Sequence, residues 1–230
     1  MKRMSGAFFA VNFAIAALLS SGSAFSYERQ QVGSPAQCSI EFNGDSILHG
    51  FGYDSGGTLY TTPATWLRNY GYTVNPNNAI NGQSTFQLAR NGGFYGVPHS
   101  LIVVIQTGIN DLRKEYEAGP FGTPTVQGVK QDYRQMVDYV RSINRIPVIS
   151  GITDLQYPQV LQYFTQSQYD TVVAIQQAVR EVAVEKNVHY ASFDTNPLGW
   201  TDTVHLDQAS SNGIAENLRY VAAYICMLPY

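Results

Sequence analysis

Charge is what this sequence has least of. Asp, Glu, Lys and Arg make up 13% of its 230 residues, well below the roughly one quarter of an ordinary globular chain. The few basic residues are scattered rather than gathered into a stripe, which excludes nucleic acid as an expected partner. Cysteine is nearly absent, with only Cys38 and Cys226, and there are four histidines. Neither H-E-x-x-H nor a pair of C-x-x-C units occurs, so no metal and no cofactor is expected. Long apolar runs are missing too. The longest, Gly6 to Leu19, spans about 14 residues, where a helix crossing the hydrocarbon core needs roughly 20.

That short run follows Lys2 and Arg3 and precedes small residues through Ser26, the layout of a secretory signal peptide. We therefore expect residues 1–26 to be a signal segment, cut after Ala24 or Ser26, and an exported protein, periplasmic or secreted, with no stable membrane insertion after cleavage. No cysteine follows the run closely enough for a lipid anchor. Removal of two basic residues takes the formal charge from −3 to −5. Residues 27–37, with Gly33 and Pro35, read as a polar lead-in, and 38–230 as one domain, a length that buries a sizeable core unaided. In an oxidising compartment a Cys38–Cys226 disulfide is the natural pairing; two buried thiols acting as small apolar groups are the alternative. Tyr, at 16 residues, is unusually frequent, which with the low charge suits an extracellular surface.

Short β-rich runs alternate with helical patterns. The candidate strands are 39–43, 72–75, 101–106, 146–150 and 188–192. Leu101-Ile102-Val103-Val104-Ile105 is apolar throughout, as a strand buried on both faces should be. Thr62-Pro63 with Trp66, Leu67 and Gly71 marks a short capped helix. Val126 to Ile143, Val172 to Ala183 and Ile214 to Ile225 repeat apolar residues at helical spacing. This alternation predicts an α/β fold, a parallel sheet covered by helices on both faces. Residues 152–168, rich in Gln with Tyr157 and Pro158, read as a long surface loop bordering a site.

Ligands of an open parallel sheet bind at the carboxyl ends of its strands. The residues that follow the strands are Gly44-Asp45-Ser46, Asn81-Gly82-Gln83-Ser84, Gly108-Ile109-Asn110-Asp111, and Asp202 with His205. Their chemistry is complementary. Ser46 supplies a hydroxyl, His205 a base, and Asp202, three residues away, a carboxylate to orient the imidazole. The N–H groups of Ser46 and Gly82 and the Asn110 amide supply donors for an oxyanion. Against this, Gly-Asp-Ser is a common turn, Asp202, Asn110 and Asp111 could be caps, and Gly82 could serve a turn alone.

Gly44-Asp45-Ser46-Ile47, Gly82, Gly108-Ile109-Asn110-Asp111 and Asp202-Thr203-Val204-His205-Leu206, in this order, resemble the GDSL or SGNH hydrolases. The resemblance implies a three-layer α/β/α sandwich, flavodoxin-like, with a five-stranded parallel sheet. It also implies Ser46 as nucleophile, His205 as base, Asp202 as third triad member, and Ser46, Gly82 and Asn110 as oxyanion donors. Asp45 and Gly108 support them. Ile47 in place of the commoner Leu should be neutral; Leu48, where a small hydroxyl residue is frequent, is expected to alter the pocket beside Ser46. The serine lacks the G-x-S-x-G elbow of α/β-hydrolases, and Gly50-Phe51-Gly52 with Ser55 falls short of a dinucleotide fingerprint.

His49 could line the pocket, although a structural role fits it better; His99 and His189 read as structural. The expected activity is hydrolysis of short acyl esters through an acyl-enzyme, with O-acetyl groups on carbohydrate as a candidate and a small-molecule or glycan ester as the substrate partner. The alternatives are an acyltransferase using the same residues, a lipase or lysophospholipase, and a non-catalytic glycan-binding protein. Phe51, Tyr53, Tyr60, Tyr116, Phe121, Tyr157 and Trp200 are candidate platforms for sugar rings or simply loop packing. Oligomeric state is not readable from the sequence.

Overall fold

The computed structural model describes residues 29–51, 61–90, 93–118, 120, 122–193 and 199–229. The expected signal segment, Gly52, Tyr53, Ser55, Tyr60 and Phe121 lie outside the described residues. In chain order the elements are β1 (Ser39–Gly44), α1 (Ser46–His49), α2 (Pro63–Asn69), β2 (Thr73–Asn77), α3 (Thr85–Arg90) and β3 (Ile102–Gln106). They continue with α4 (Thr125–Ser142), β4 (Ile146–Ser150), α5 (Gln166–Glu185), β5 (His189–Ala191) and α6 (Gln208–Cys226).

The strands form one five-stranded sheet in the order β2-β1-β3-β4-β5, and every pairing is parallel. From β1 the chain moves outward to β2, then returns past β1 and continues the other way through β3, β4 and β5. The direction of winding therefore reverses between β1 and β3, and a crevice opens at their carboxyl ends. The loops that begin with Asp45 and Thr107 leave the sheet there.

Strand alternation divides the core between two faces. Ile40, Phe42, Val104 and Val148 pack with Leu67 of α2 and Leu218 of α6 on one side. Val103, Ile105 and Ile149 pack with Met136 and Val140 of α4 and Ile175 of α5 on the other. Each such side chain contributes about 1.5–3 kcal/mol by leaving water. The expected helix layers on both faces are thus present. Pro76 is tolerated in β2 because that strand is an edge, and Pro147 precedes the first β4–β5 pairing at Val148.

Two polar residues of β1, Glu41 and Asn43, are buried. Glu41 is fully buried, and its carboxylate accepts from Asn43 Nδ2 at 2.8 Å and from the Ser100 N–H at 2.7 Å. It also meets His99 Nδ1, while His99 Nε2 faces the Phe94 carbonyl at 2.8 Å. Such a buried carboxylate is tolerated only because its lone pairs are taken up in this way.

At the amino ends of the strands, Cys38 and Cys226 form a disulfide with Cα atoms 6.0 Å apart, joining the start of β1 to the last residue of α6. The polar lead-in is held there too: Gln30 N–H donates to Ile225 O at 2.7 Å and Val32 N–H to Cys226 O at 3.3 Å. These bonds satisfy carbonyls that a helix leaves open at its C-terminus.

The segment 152–168 is not the structureless surface loop expected of it. Ile152, Leu155 and Val160 are buried in the core, a 3₁₀ turn covers Gln159–Gln162, and α5 begins at Gln166, well before the apolar repeat at Val172. A capping box between Thr165 and Gln168 sets that start. The short α3 had no counterpart in the sequence pattern, since six residues are too few to show a helical period.

Candidate active site

Ser46 is the first residue of the single-turn α1, and Asp45 caps it by accepting the Ile47 N–H at 2.9 Å. As the first helical residue, Ser46 has no intrahelical acceptor for its own N–H. Asp45 is fully buried, with Gln106 Nε2 donating to its other oxygen at 3.1 Å. Burial pushes its carboxyl up to about 7; the bonds from Ile47 and Gln106 oppose the shift and the nearby Asp111 adds to it.

The partner residues come from a hairpin between β5 and α6. Trp200 and Leu206 form an antiparallel bridge, and Thr201 N–H donates to His205 O at 2.9 Å. The bend brings Asp202 back onto His205. Asp202 Oδ1 accepts from the N–H groups of Val204 at 2.7 Å and His205 at 2.6 Å, and Oδ2 lies 2.8 Å from His205 Nδ1. Partial burial works against this carboxylate, yet the His205 and Val204 bonds outweigh it and hold the group below its usual range. With Nδ1–H directed at the carboxylate, Nε2 is left as an acceptor, and it lies 3.0 Å from Ser46 Oγ. Hydroxyl, imidazole and carboxylate therefore stand in one continuous chain of hydrogen bonds, although 159 residues separate Ser46 from His205.

Gly82 and Asn110 line the same cavity as Ser46 and His205, a space of about 420 Å³. Gly82 adopts φ +75, a conformation open to glycine, and among the described residues its N–H meets no acceptor. Asn110 donates one amide hydrogen to Gln83 O at 3.1 Å, which fixes the side chain and leaves the second hydrogen for the cavity. Gly108 has φ +142, and a Cβ there would run into Ile152 and Ile175. It lets the Asn110 turn lie against the core. Asp111 ties the two loops together by accepting from the Thr85 N–H at 2.9 Å, Thr85 Oγ1 at 2.8 Å and the Phe86 N–H. Burial raises its carboxyl to about 6 against those bonds, with Glu115 adding to the rise.

Sequence reasoning missed one wall of the site. Phe164, in the segment flagged only as bordering it, lines the Ser46 cavity and also a neighbouring one of about 410 Å³ shared with Tyr163, Asp202 and Thr203. No period or motif marks Phe164; only its place before the Thr165 cap could have found it. Phe51 also lines the cavity, and its ring meets His205 edge-on at 4.7 Å.

Two expectations, for Tyr116 and Leu48, are corrected. Tyr116 is no sugar platform: it is 1% exposed and its hydroxyl donates to Asp132 Oδ2 at 2.7 Å. Leu48 is wholly buried in the core under α2 and α6 rather than in the pocket wall. Trp200 is partly buried, its indole N–H donating to Asp154 O at 3.3 Å, and Tyr157 packs on Tyr169. His49 Nδ1 lies 3.1 Å from Ala79 O, a structural contact, and His189 packs edge-on against Tyr224. Among the described residues no group of three or more His, Cys, Asp or Glu could hold a metal, and no helix is long and apolar enough to cross a membrane.

Comparison with solved structures finds the same fold. A catalytic mutant of Axe2, an acetylxylan esterase from Geobacillus stearothermophilus, superposes with a TM-score of 0.60 at 18% identity, covering 87% of this chain and 100% of that one. A carbohydrate acetylesterase family member from Sinorhizobium meliloti gives 0.59 at 16%, covering 83% and 99%. A GDSL-like lipase from Bacteroides thetaiotaomicron gives 0.58 at 15%, covering 81% and 88%. No curated protein matches the sequence. Residues 42–212, which hold every group of the site from Ser46 to His205, match the GDSL-like Lipase/Acylhydrolase family, and the chain belongs to that family of ester hydrolases.

Proposed function

We propose that the protein is an exported esterase that removes short acyl groups, O-acetyl groups on carbohydrate among them, through an acyl-enzyme on Ser46. The observation that carries this reading is the run from Ser46 Oγ through His205 to Asp202, at 3.0 and 2.8 Å, opening on a cavity with unused donors. His205 Nε2 takes the Ser46 proton as Oγ attacks the ester carbonyl carbon. The resulting oxyanion is held by the Ser46 and Gly82 N–H groups and the free Asn110 amide hydrogen. Collapse breaks the bond to the alcohol, which leaves with the proton from His205. A water then gives its proton to His205 and attacks the acyl-enzyme, releasing the acid and restoring Ser46.

The short-acyl preference is supported by the aromatic side chains of Phe51 and Phe164, which wall the cavity beside Ser46. The carbohydrate preference is supported by the likeness in fold to proteins named as acetylxylan and carbohydrate acetylesterases. Export is supported by the N-terminal sequence pattern together with the disulfide. The test compares 4-nitrophenyl acetate, butyrate and palmitate, then acetylated xylan, at matched enzyme concentration. Highest kcat/KM on acetate or butyrate with acetate released from xylan is expected. Rates that rise to palmitate, with no acetate from the glycan, would replace this reading with a lipase.

A further inference from the structure

The sequence has 14 Lys and Arg residues, and all but Lys2 and Arg3 lie within the described residues. Almost every one of these is engaged. Lys114 pairs with Glu117, Lys130 with Glu181, Arg134 with Glu185 and Lys186 with Asp138. The others donate to carboxylates, carbonyls or a tyrosine hydroxyl. Arg113 is the exception: it is exposed, and among the described residues no group accepts its hydrogens.

Its position is what gives this meaning. Arg113 ends the 3₁₀ turn Ile109–Arg113 that carries Asn110. From there its guanidinium reaches across to the other oxyanion loop, so that a Cβ on Gly82 would lie 3.3 Å from Nη2. Among the described residues, the acids of the surrounding loops have other partners. Glu115 accepts Ser84 Oγ at 2.7 Å, Asp111 is buried against Thr85 and Phe86, and Asp202 is held by His205 and Val204. A planar cation with no acceptor among the described residues thus lies against Gly82, one of the residues that line the cavity, in a chain whose formal charge is −3. A guanidinium fork matches a carboxylate or phosphate through two parallel hydrogen bonds.

We propose that Arg113 is a specificity-determining residue that selects esters bearing an anionic group, carboxylate or phosphate, within reach of the reacting carbonyl. This rests on the esterase reading above. The neutral alternative, a solvated surface arginine, predicts no discrimination by substrate charge.

The test uses the full chain and matched pairs of esters. The 4-nitrophenyl monoester of adipate against 4-nitrophenyl hexanoate places the charge on the acyl side. On the alcohol side, 4-acetoxybenzoate against its methyl ester carries a carboxylate, and 4-acetoxyphenyl phosphate carries a phosphate. The expected result is a preference in kcat/KM for the anionic member in at least one pair, expressed chiefly in KM. That preference should fall roughly fivefold or more in Arg113→Gln, return in part in Arg113→Lys, and shrink with added salt. An unchanged anionic-to-neutral ratio in Arg113→Gln would overturn the proposal, as would an equal loss on both members, which would mark a general electrostatic effect. Hydrolysis of the neutral esters without preference in any pair would overturn it too and leave the esterase reading intact. No hydrolysis of any ester, with Ser46 inert to a fluorophosphonate, would sink the esterase reading itself and this proposal with it.

Discussion

The two ends of the sheet are built on opposite principles. At the amino ends, Cys38 and Cys226 are both fully buried and covalently joined, and the lead-in closes over the end of α6 with backbone bonds. At the carboxyl ends Asp45, Gln106, Thr107 and Asp111 are all 0% exposed, whereas the buried acid towards the amino ends, Glu41, is closed in by His99, Asn43 and the Ser100 N–H. The difference teaches where this chain gains stability and where it gives some up. Burial holds Asp45 and Asp111 above the usual carboxylate range, a sign that their charged forms are costly in the fold. Asp202, at the same end but partly exposed and well supplied with N–H donors, is held in its charged form. Changes at the carboxyl end should therefore reduce turnover and leave the fold standing, and changes at the amino end should do the reverse.

The largest expected effect is at the carboxyl end. Asp202→Asn keeps the size of the side chain but no longer favours the productive histidine tautomer, and turnover should fall by about 10⁴ with the melting temperature nearly unchanged. A matching collapse of the melting curve would show that the hairpin, rather than the imidazole, is what Asp202 supports.

Next comes the amino end. The disulfide closes 188 residues of chain, which the loop-entropy account values at about 5 kcal/mol, and loss of a native bridge commonly costs about 2–5 kcal/mol. The double change of Cys38 and Cys226 to Ser should lower the midpoint by roughly 5–15 °C while kcat/KM at 25 °C stays within about twofold. A large loss of activity in the still-folded variant would show that the two ends are coupled.

Asn110→Ala is expected to cost about 2.7–4 kcal/mol in turnover, a factor of roughly 10²–10³, with little change in KM. An intact kcat would remove Asn110 from the oxyanion donors and leave it as an anchor for Gln83.

The smallest effect separates the carboxylates by pH. Asp45 and Asp111 hold their protons more tightly folded than unfolded, so the stability they add is full below about pH 4. It is lost as pH rises through about 6 and 7. Asp202, depressed in the fold, contributes above its unfolded value and loses its contribution on acidification. Urea unfolding of wild type and Asp111→Asn from pH 4 to 7.5 should show a shallower decline with rising pH in the variant. Parallel curves would mean that Asp111 does not titrate in this window.

Much of this was legible because it depends on local pattern. The unbroken apolar run at Leu101–Ile105 marks a strand buried on both faces, and Asp202 and His205 sit three apart, a spacing one turn can close. Ser46, Asp202 and His205 are legible as a set because each follows a strand, where an open parallel sheet gathers its ligands. What stayed hidden depends on packing between distant segments. Phe164 becomes a cavity wall only because Val160 anchors the turn before it, and Tyr116 is buried because Asp132, on α4, takes its hydroxyl. Leu48 lies in the same helical turn as the nucleophile, yet that turn points it into the core. The site walls are set by tertiary contacts, whereas the reacting groups are set by strand ends.

The measurement that tests the account most directly is covalent labelling by a fluorophosphonate, read by intact mass and peptide mapping. Only a hydroxyl with a base at hydrogen-bond distance should react, and Ser46 Oγ, 3.0 Å from His205 Nε2, is that group. The account predicts one adduct per chain, on Ser46, absent in Ser46→Ala and strongly slowed in His205→Ala. Labelling at an unchanged rate in Ser46→Ala, or a single adduct on any other residue, would contradict it.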